Sequence, residues 1–313
     1  MQQRLNQPFT NVAIFSVFWA FQIYITKVAF IRGAQLGAFV FLSALSTLLV
    51  CSVYFLPKNF AELRNLWGQN QKALFIILLA GFVHYGLGGM FSTAGVSLTS
   101  ATSAAFLSKL SFVFTVGLAA IFLAEPLTQK KLGASVLMLL GAYLLATQGK
   151  AITPGIGNLL VIIACICWSS GTILTKLALR RARISGELIS AVRPFVGTPF
   201  LLVYSLLVPQ FSAATRSAFG DSIWQPEMIP FALVNGLLTV LTWIFLNRTL
   251  TVASASYMTM MSMMTPVIVA VLASAFLDER LAFIQLVGAT LIIAGAAMTH
   301  LSEKNRRLKA SST

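Results

Sequence analysis

The chain has 313 residues, of which 58% are hydrophobic and only 10% charged, with a mean hydropathy of +0.85. Ordinary globular chains carry roughly a quarter charged residues, so a water-facing surface cannot be built from this composition and lipid must cover most of the outside. A soluble enzyme, a DNA-binding domain and a disordered tail are excluded. The net charge of +14 then reads as basic loops that set membrane orientation rather than as a nucleic-acid surface.

Apolar runs in chain order predict an all-α membrane protein of ten spans: 11–30, 34–56, 73–96, 100–123, 128–147, 157–178, 188–208, 229–247, 252–277 and 281–300. Each is near the roughly 20 residues that a bilayer core requires. The first run reads as an uncleaved helix, being too long for a signal-peptide core and closed by no small-x-small site. Turn residues mark the connections, as in Leu56-Pro57-Lys58-Asn59 and Thr153-Pro154-Gly155. The longest connection, around 209–228, holds Asp221, Pro226 and Glu227 and has room for a surface helix. Cys51, Cys165 and Cys167 lie inside apolar runs without metal-ligand spacing and read as small apolar side chains.

Orientation follows from Lys and Arg. With the N-terminus in the cytoplasm, fourteen basic residues fall on that side, among them Lys58, Lys130, Arg180 and Lys304, against Arg32, Lys150, Arg216 and Arg280 opposite. The positive-inside rule therefore puts both termini in the cytoplasm. The basic tail, Lys304 to Lys309, is expected to touch anionic headgroups.

The halves repeat each other. Trp19-x6-Thr26-Lys27-x-Ala29 recurs as Trp168-x6-Thr175-Lys176-x-Ala178, and Phe122-Leu123-x-Glu125-x-Leu127 recurs as Phe276-Leu277-x-Glu279-x-Leu281. Gly141-Ala142 maps on Gly295-Ala296, and Ser108 on Ser262, at the same offset of 154. Two units follow, residues 1–150 with spans 1–5 and residues 151–313 with spans 6–10 and the tail. Five spans per unit is odd, so the second copy enters from the opposite side, the inverted repeat of secondary transporters with a site near the midplane.

These elements resemble the drug/metabolite transporter superfamily, specifically its ten-helix EamA type. The resemblance rests on the Trp-x6-Thr-Lys opening of each half and on the small-residue stretches at Ser100–Ala105 and Ser254–Ser256, each followed by Glu125 or Glu279 and then Gly-Ala. It covers about residues 10–300. It implies a transporter, not an enzyme, that needs no cofactor and exports amino acids, other metabolites or drugs on a solute or proton gradient. One departure is Phe112 where the second half has Pro266. If proline kinks serve alternating access, the halves are expected to move unequally.

Charge at bilayer depth is costly and marks candidates for function. Lys27, Lys109, Lys176 and Arg193 fall within spans, whereas all eight carboxylates lie in loops or at span ends. A cation exporter needs a carboxylate at depth, so an anion or a zwitterion fits better. Lys109 lies about 14 Å along the fourth span, close to the midplane, with Met263 as its repeat mate. Its alternatives are a solute's charge partner or a lysine held by carbonyls and hydroxyls.

His84, beside Tyr85 in the third span, either couples proton movement or is a bonded cavity histidine. Arg193 either holds a substrate carboxylate or answers a helix C-terminus or Glu187. Lys27 and Lys176 read as interfacial anchors or gate charges at opposite mouths. Trp19 and Trp168 read as cavity walls or packing, with Gln22, Ser169 and Ser170 as hydrogen-bonding groups, and Asn235, Trp243 and Tyr257 join them more weakly. Five methionines from Met258 to Met264 suit a broad pocket or plain packing. Glu125 and Glu279 are expected to cap the helix that each precedes, and Gly133, Gly141, Gly288 and Gly295 to permit close helix contacts.

The expected protein is thus a secondary transporter of a small organic solute, amino-acid-like or anionic, in the lipid bilayer of a bacterial inner membrane. A proton or counter-solute is its expected coupling partner, and nucleic acid is not a partner. The competing readings are a proton-coupled multidrug exporter and a membrane-embedded enzyme acting on lipids.

Overall fold

The computed structural model describes residues 2–32, 36–99, 101–182, 184–207, 228–277 and 280–312. Among these the chain is helical, with no strand. In order, the helices are α1 (Gln2–Ile31), α2 (Leu36–Val50), α3 (Phe60–Gln69), α4 (Gln71–Gly81, then Gly88–Ser97), α5 (Ala101–Leu107, then Ser111–Leu123), α6 (Gln129–Thr147), α7 (Ile156–Arg181), α8 (Gly186–Leu207), α9 (Met228–Val252), α10 (Ala255–Met261, then Thr265–Phe276) and α11 (Phe283–Ser312). Nine helical stretches among the described residues are long and apolar enough to cross a membrane. The connection around 209–228, with its expected surface helix, lies outside the described residues.

Two elements differ from expectation. The connection after the second span holds a ten-residue amphipathic helix, α3, whose Leu63 and Leu66 pack on Ala73 and Leu74 of α4. The expected basic tail is not a separate segment, because α11 runs on as helix through Arg306 to Ser312. No glycine or proline follows Gly295, so nothing in the local sequence stops the helix.

The packing is reciprocal between the halves. Helix α1 lies along α9 as α7 lies along α4, α1 meets α10 as α7 meets α5, and α2 meets α9 as α8 meets α4. Helices α5 and α10 meet each other, and α6 runs against α11. In lipid no hydrophobic driving force separates helix–helix from helix–lipid contact, so close approach of small residues does the joining. At Gly141 an added Cβ would lie 2.5 Å from the Gly288 carbonyl oxygen, and at Gly288 it would lie 2.6 Å from that of Gly141. Gly295 fits against Met138, whereas Gly133 faces open space and joins nothing. The Gly133 expectation fails because that residue lies on the outer face of α6.

Both α5 and α10 are interrupted by one 3₁₀ turn, Ser108–Leu110 and Ser262–Met264, at the same offset of 154. Pro266 follows the second turn, and Phe112, 1% exposed, follows the first. The break therefore does not need the proline. In α5 a cysteine thiol from α7, Cys165, approaches the Leu107 and Ser108 carbonyls at 3.3 and 3.5 Å, and the Ser169 hydroxyl donates to the Ser111 carbonyl at 2.7 Å. Side chains inserting into the carbonyl ladder replace the acceptor sites that a tight turn leaves open. At this position the two halves share the same break in the helix.

A second irregularity has no such mate. Helix α4 widens into a π segment at Phe82–Leu87, which places His84 and Tyr85 against α7 and α8. Single π turns concentrate at functional sites because the extra residue re-aims its neighbours.

Candidate functional site

Lys109 sits in the 3₁₀ turn of α5, and its Nζ lies 4.6 Å from the centroid of the Trp19 ring on α1. The sequence named both residues without pairing them. Trp19 is itself tilted against Phe15 at 5.4 Å. Such a cation over an indole face is worth about 0.5–2 kcal/mol depending on desolvation. It leaves the three N–H donors of the ammonium free to meet a further acceptor.

On the α1/α9 seam, Gln22 Nε2 donates to Thr239 Oγ1 at 2.5 Å, and Asn235 Nδ2 donates to Thr26 Oγ1 at 2.8 Å. The Thr26 and Thr239 hydroxyls in turn donate to carbonyls one turn back, Gln22 and Asn235, each at 2.8 Å. Asn235, 5% exposed, is thereby engaged between helices.

The reciprocal α7/α4 seam is built otherwise. Arg193 of α8 is 1% exposed and enters between α4, α7 and α9. Its Nη2 donates to Thr175 Oγ1 of α7 at 3.0 Å, and its guanidinium carbon lies 5.7 Å from the Trp243 ring centroid. Nε and Nη1 are buried without a partner, and so is Nδ1 of His84, whose ring meets the Trp168 backbone and the Arg193 charge. Tyr85 stands edge-on to Trp243 at 5.0 Å.

Two glycines make the room. At Gly81 an added Cβ would lie 3.3 Å from the Arg193 carbonyl oxygen, and at Gly171 it would fall on the His84 Cβ. Glu187, the acid offered by the sequence, does not reach Arg193. It takes Arg248 and, at 3.4 Å, Lys58.

The profile of the EamA-like transporter family matches residues 10–147 and again residues 155–301. The chain belongs to the EamA-like transporter family. It is 29% identical over 164 residues to an uncharacterized transporter of Methanothermobacter thermautotrophicus, a match that covers 50% of this chain but only 44% of that one. It is 27% identical over 212 residues to a probable terminal-alkyne amino-acid exporter of Streptantibioticus cattleyicolor, covering 67% of this chain and 68% of that one. A crystal structure of another protein shares the fold, with a TM-score of 0.68 at 16% identity over 96% of this chain and 98% of that one.

Other residues singled out in this EamA-like chain have contacts of their own. The Ser169 hydroxyl is spent on the Ser111 and Cys165 carbonyls, both at 2.7 Å. Trp168 is half-buried, with its indole against Gly88 of α4. Tyr257, in the first turn of α10, bonds His300 Nδ1 of α11 at 3.0 Å and belongs to the packed end of the bundle. The side chain of Lys27 lies outside the described residues.

Lys176 does not reach an interface. It is 8% exposed and donates to the Leu250 carbonyl and, at 2.6 Å, to that of Ala253, closing the C-terminus of α9. A helix end presents unsatisfied carbonyls that attract a cation.

Glu125 also departs from expectation. It caps α10 rather than the following α6, accepting from the Ala255 and Ser256 N–H groups at 2.7 and 3.1 Å and from the Ser256 hydroxyl at 2.6 Å. Thr128 caps α6. The αL turn at Ala124 carries the carboxylate away from its own helix and into the other half. Glu279 lies outside the described residues. At this same end Arg180 donates to the Leu123 carbonyl at 3.0 Å, and a mouth of about 610 Å³ opens, lined by Glu125, Lys176, Arg180, Ser254, Glu303 and Arg306.

Trp243 and the glycines are neighbours of Arg193 and His84 that sequence reasoning undervalued. A glycine inside an apolar helix weakens it, so Gly81 and Gly171 already signalled a close approach by another chain segment.

Proposed function

We propose that this EamA-like transporter is a secondary transporter with ten spans in two inverted units, 1–150 and 151–313, that exports a small amino-acid-like or anionic solute by alternating access. The two family matches and the reciprocal packing of the halves support the repeat, with α8 supplying the tenth span. The excess of Lys and Arg on one side supports cytoplasmic termini, and the same count suits a bacterial inner membrane.

The observation that carries the solute class is Lys109. It is a cation deep in a span, held over Trp19 and facing no carboxylate among the described residues. A carboxylate of the solute complements it in a medium where unpaired charge is costly. Gln22 and Trp168, one turn along α1 and across on α7, are the proposed neighbours. The amino-acid exporter similarity supports both the solute class and the direction. A proton or counter-solute is the proposed driving partner.

The test is efflux and counterflow of labelled amino acids, small carboxylates and cationic dyes in vesicles containing the purified chain, with wild type and Lys109→Met. Flux of a carboxylate-bearing solute that falls at least tenfold in the variant is expected. Dye flux that survives the substitution, with no carboxylate flux, overturns the reading in favour of a multidrug exporter. Lipid turnover without any flux removes transport altogether.

A further inference from the structure

The geometry points to a second anion-binding site, away from Lys109, in which Arg193, with His84 and Trp243 around it, holds a small monovalent anion: a halide or a carboxylate group. The argument begins with charge. Among the described residues Arg193 is the largest fully buried side chain, and a guanidinium stays protonated. Buried charges in proteins are paired, because desolvation otherwise outweighs any gain from packing. Its two protein partners are a neutral hydroxyl, Thr175, and an indole face. Nε and Nη1 carry three of the five guanidinium donors, and neither has a partner.

No acid among the described residues faces the guanidinium. Among the described residues Glu62 is bonded to Ser185, Glu125 caps α10, Glu187 takes Arg248 and Lys58, and Glu303 takes Arg306. No carbonyl among the described residues accepts from Nε or Nη1. Asn247 spends its amide on Ser190 Oγ at 2.8 Å, and its Oδ1 does not reach the guanidinium.

His84 packs beside the same charge with its ring engaged on the Trp168 backbone, so the free donors of the site are those of the guanidinium. The π turn in α4 and the absence of a Cβ at Gly81 and Gly171 are what bring both groups together. The reciprocal α1/α9 seam, with Thr26 where this one has Thr175, closes its polar groups within the protein. The need for a ligand is therefore particular to this seam. The donors suit a small ion or a single carboxylate, with Trp243 against the guanidinium and Tyr85 edge-on to that ring.

The site is tested without knowledge of the transported solute. The full chain is purified in detergent with gluconate as the bulk anion and titrated with bromide and with acetate. The readouts are tryptophan fluorescence and melting temperature. Saturable quenching by bromide, a rise in melting temperature, and at least tenfold weaker binding in Arg193→Gln are expected, with Lys109→Met unchanged. Trp243→Phe, which keeps the fold if Arg193→Gln does not, should remove most of the quenching while leaving the melting shift.

Competition between bromide and the transported carboxylate places the site on the solute's route. Indifference to that solute makes the anion a resident counter-ion, and either result supports the site. Linear quenching with the same slope in Arg193→Gln, or binding lost in Lys109→Met instead, overturns it and leaves water on the guanidinium. Flux through Lys109 is measured separately, so the transport reading stands or falls independently.

Discussion

The two seams that exchange under the repeat, α1/α9 and α7/α4, are made from the same starting residues and end differently. Thr26 and Thr175 occupy matching places after Trp19 and Trp168, and each accepts a hydrogen bond from a side chain across the seam. In the first seam the donor is Asn235, and Gln22 and Thr239 complete a neutral network. In the second the donor is Arg193, Gly171 stands where the first half has Gln22, and the space goes to His84. One seam is closed by the protein alone, whereas the other carries charge and bare donors. Duplication thus left the scaffold symmetric and made a single seam chemically special.

The largest expected effect comes from refilling the special seam. Gly171→Ala drives a Cβ into the His84 Cβ, and overpacking of this kind costs about 1–3 kcal/mol. The melting temperature should fall clearly, and quenching by bromide should weaken with it. Gly117→Ala, where nothing lies within 4 Å, is the control and should lose nothing. Equal melting curves for the two variants would show that the α7/α4 seam is not tight.

Next in size is a pair of substitutions that should differ in sign. Asn235→Leu removes the donor to Thr26 from a satisfied network, at a cost of about 1 kcal/mol for an interhelical hydrogen bond in a membrane protein. Arg193→Leu removes an unpaired buried charge, and replacements of that kind are neutral or stabilising. In gluconate buffer the Arg193 variant should melt at or above wild type and the Asn235 variant below it. Bromide should raise wild type and leave Arg193→Leu where it was. A steep loss of stability in Arg193→Leu without added anion would mean that the protein itself satisfies the guanidinium.

Much of this contrast was legible in the sequence, and the reasons for the rest are physical. Composition and span length identify an all-α membrane protein because lipid admits so few alternatives. The repeat was visible through Trp, Lys and Glu, which apolar drift does not reproduce. Lys109, His84, Tyr85 and Arg193 stood out because charge and polarity at depth are rare.

Pairing was not legible. Nothing along the chain brings Trp19 to Lys109 or Trp243 to Arg193, since those contacts join helices far apart in sequence. Glu125 was read as capping its nearest helix, whereas the αL turn at Ala124 hands it to α10. Lys176 was read as an interfacial anchor or a gate charge, and its bonds to the end of α9 were not legible because those carbonyls are 74 and 77 residues away. The π turn at Phe82–Leu87 has no sequence marker of its own.

A smaller effect measures how complete the neutral seam is. A double-mutant cycle with Gln22→Leu and Thr239→Val should return a coupling of about 0.6 kcal/mol, the size typical of polar contacts between membrane helices. The same cycle on Arg193→Leu and Thr175→Val should depend on the anion present, larger in bromide than in gluconate. A coupling that is equal in both buffers would place the two seams in the same class.

The smallest effect concerns the acid that Arg193 does not have. Glu187 lies in the first turn of α8, six residues ahead of Arg193, yet it faces Arg248 of α9 and Lys58 of the connection between α2 and α3. Burial works against its charge, but the hydrogen bond and charge of Arg248, with Lys58, outweigh it and hold the carboxyl below its ordinary 4.5. A carboxyl depressed in the folded state stabilises above its unfolded value and loses that contribution as pH falls through the folded one. The melting temperature should therefore decline below about pH 4.5 with a small component that Glu187→Gln removes, the pair being exposed enough for solvent to screen most of it. Bromide binding at neutral pH should be the same in Glu187→Gln as in wild type. Weaker bromide binding on loss of this acid is the wrong sign for a competitor and would point to a structural role, whereas tighter binding would show that Glu187 had been neutralising Arg193 after all.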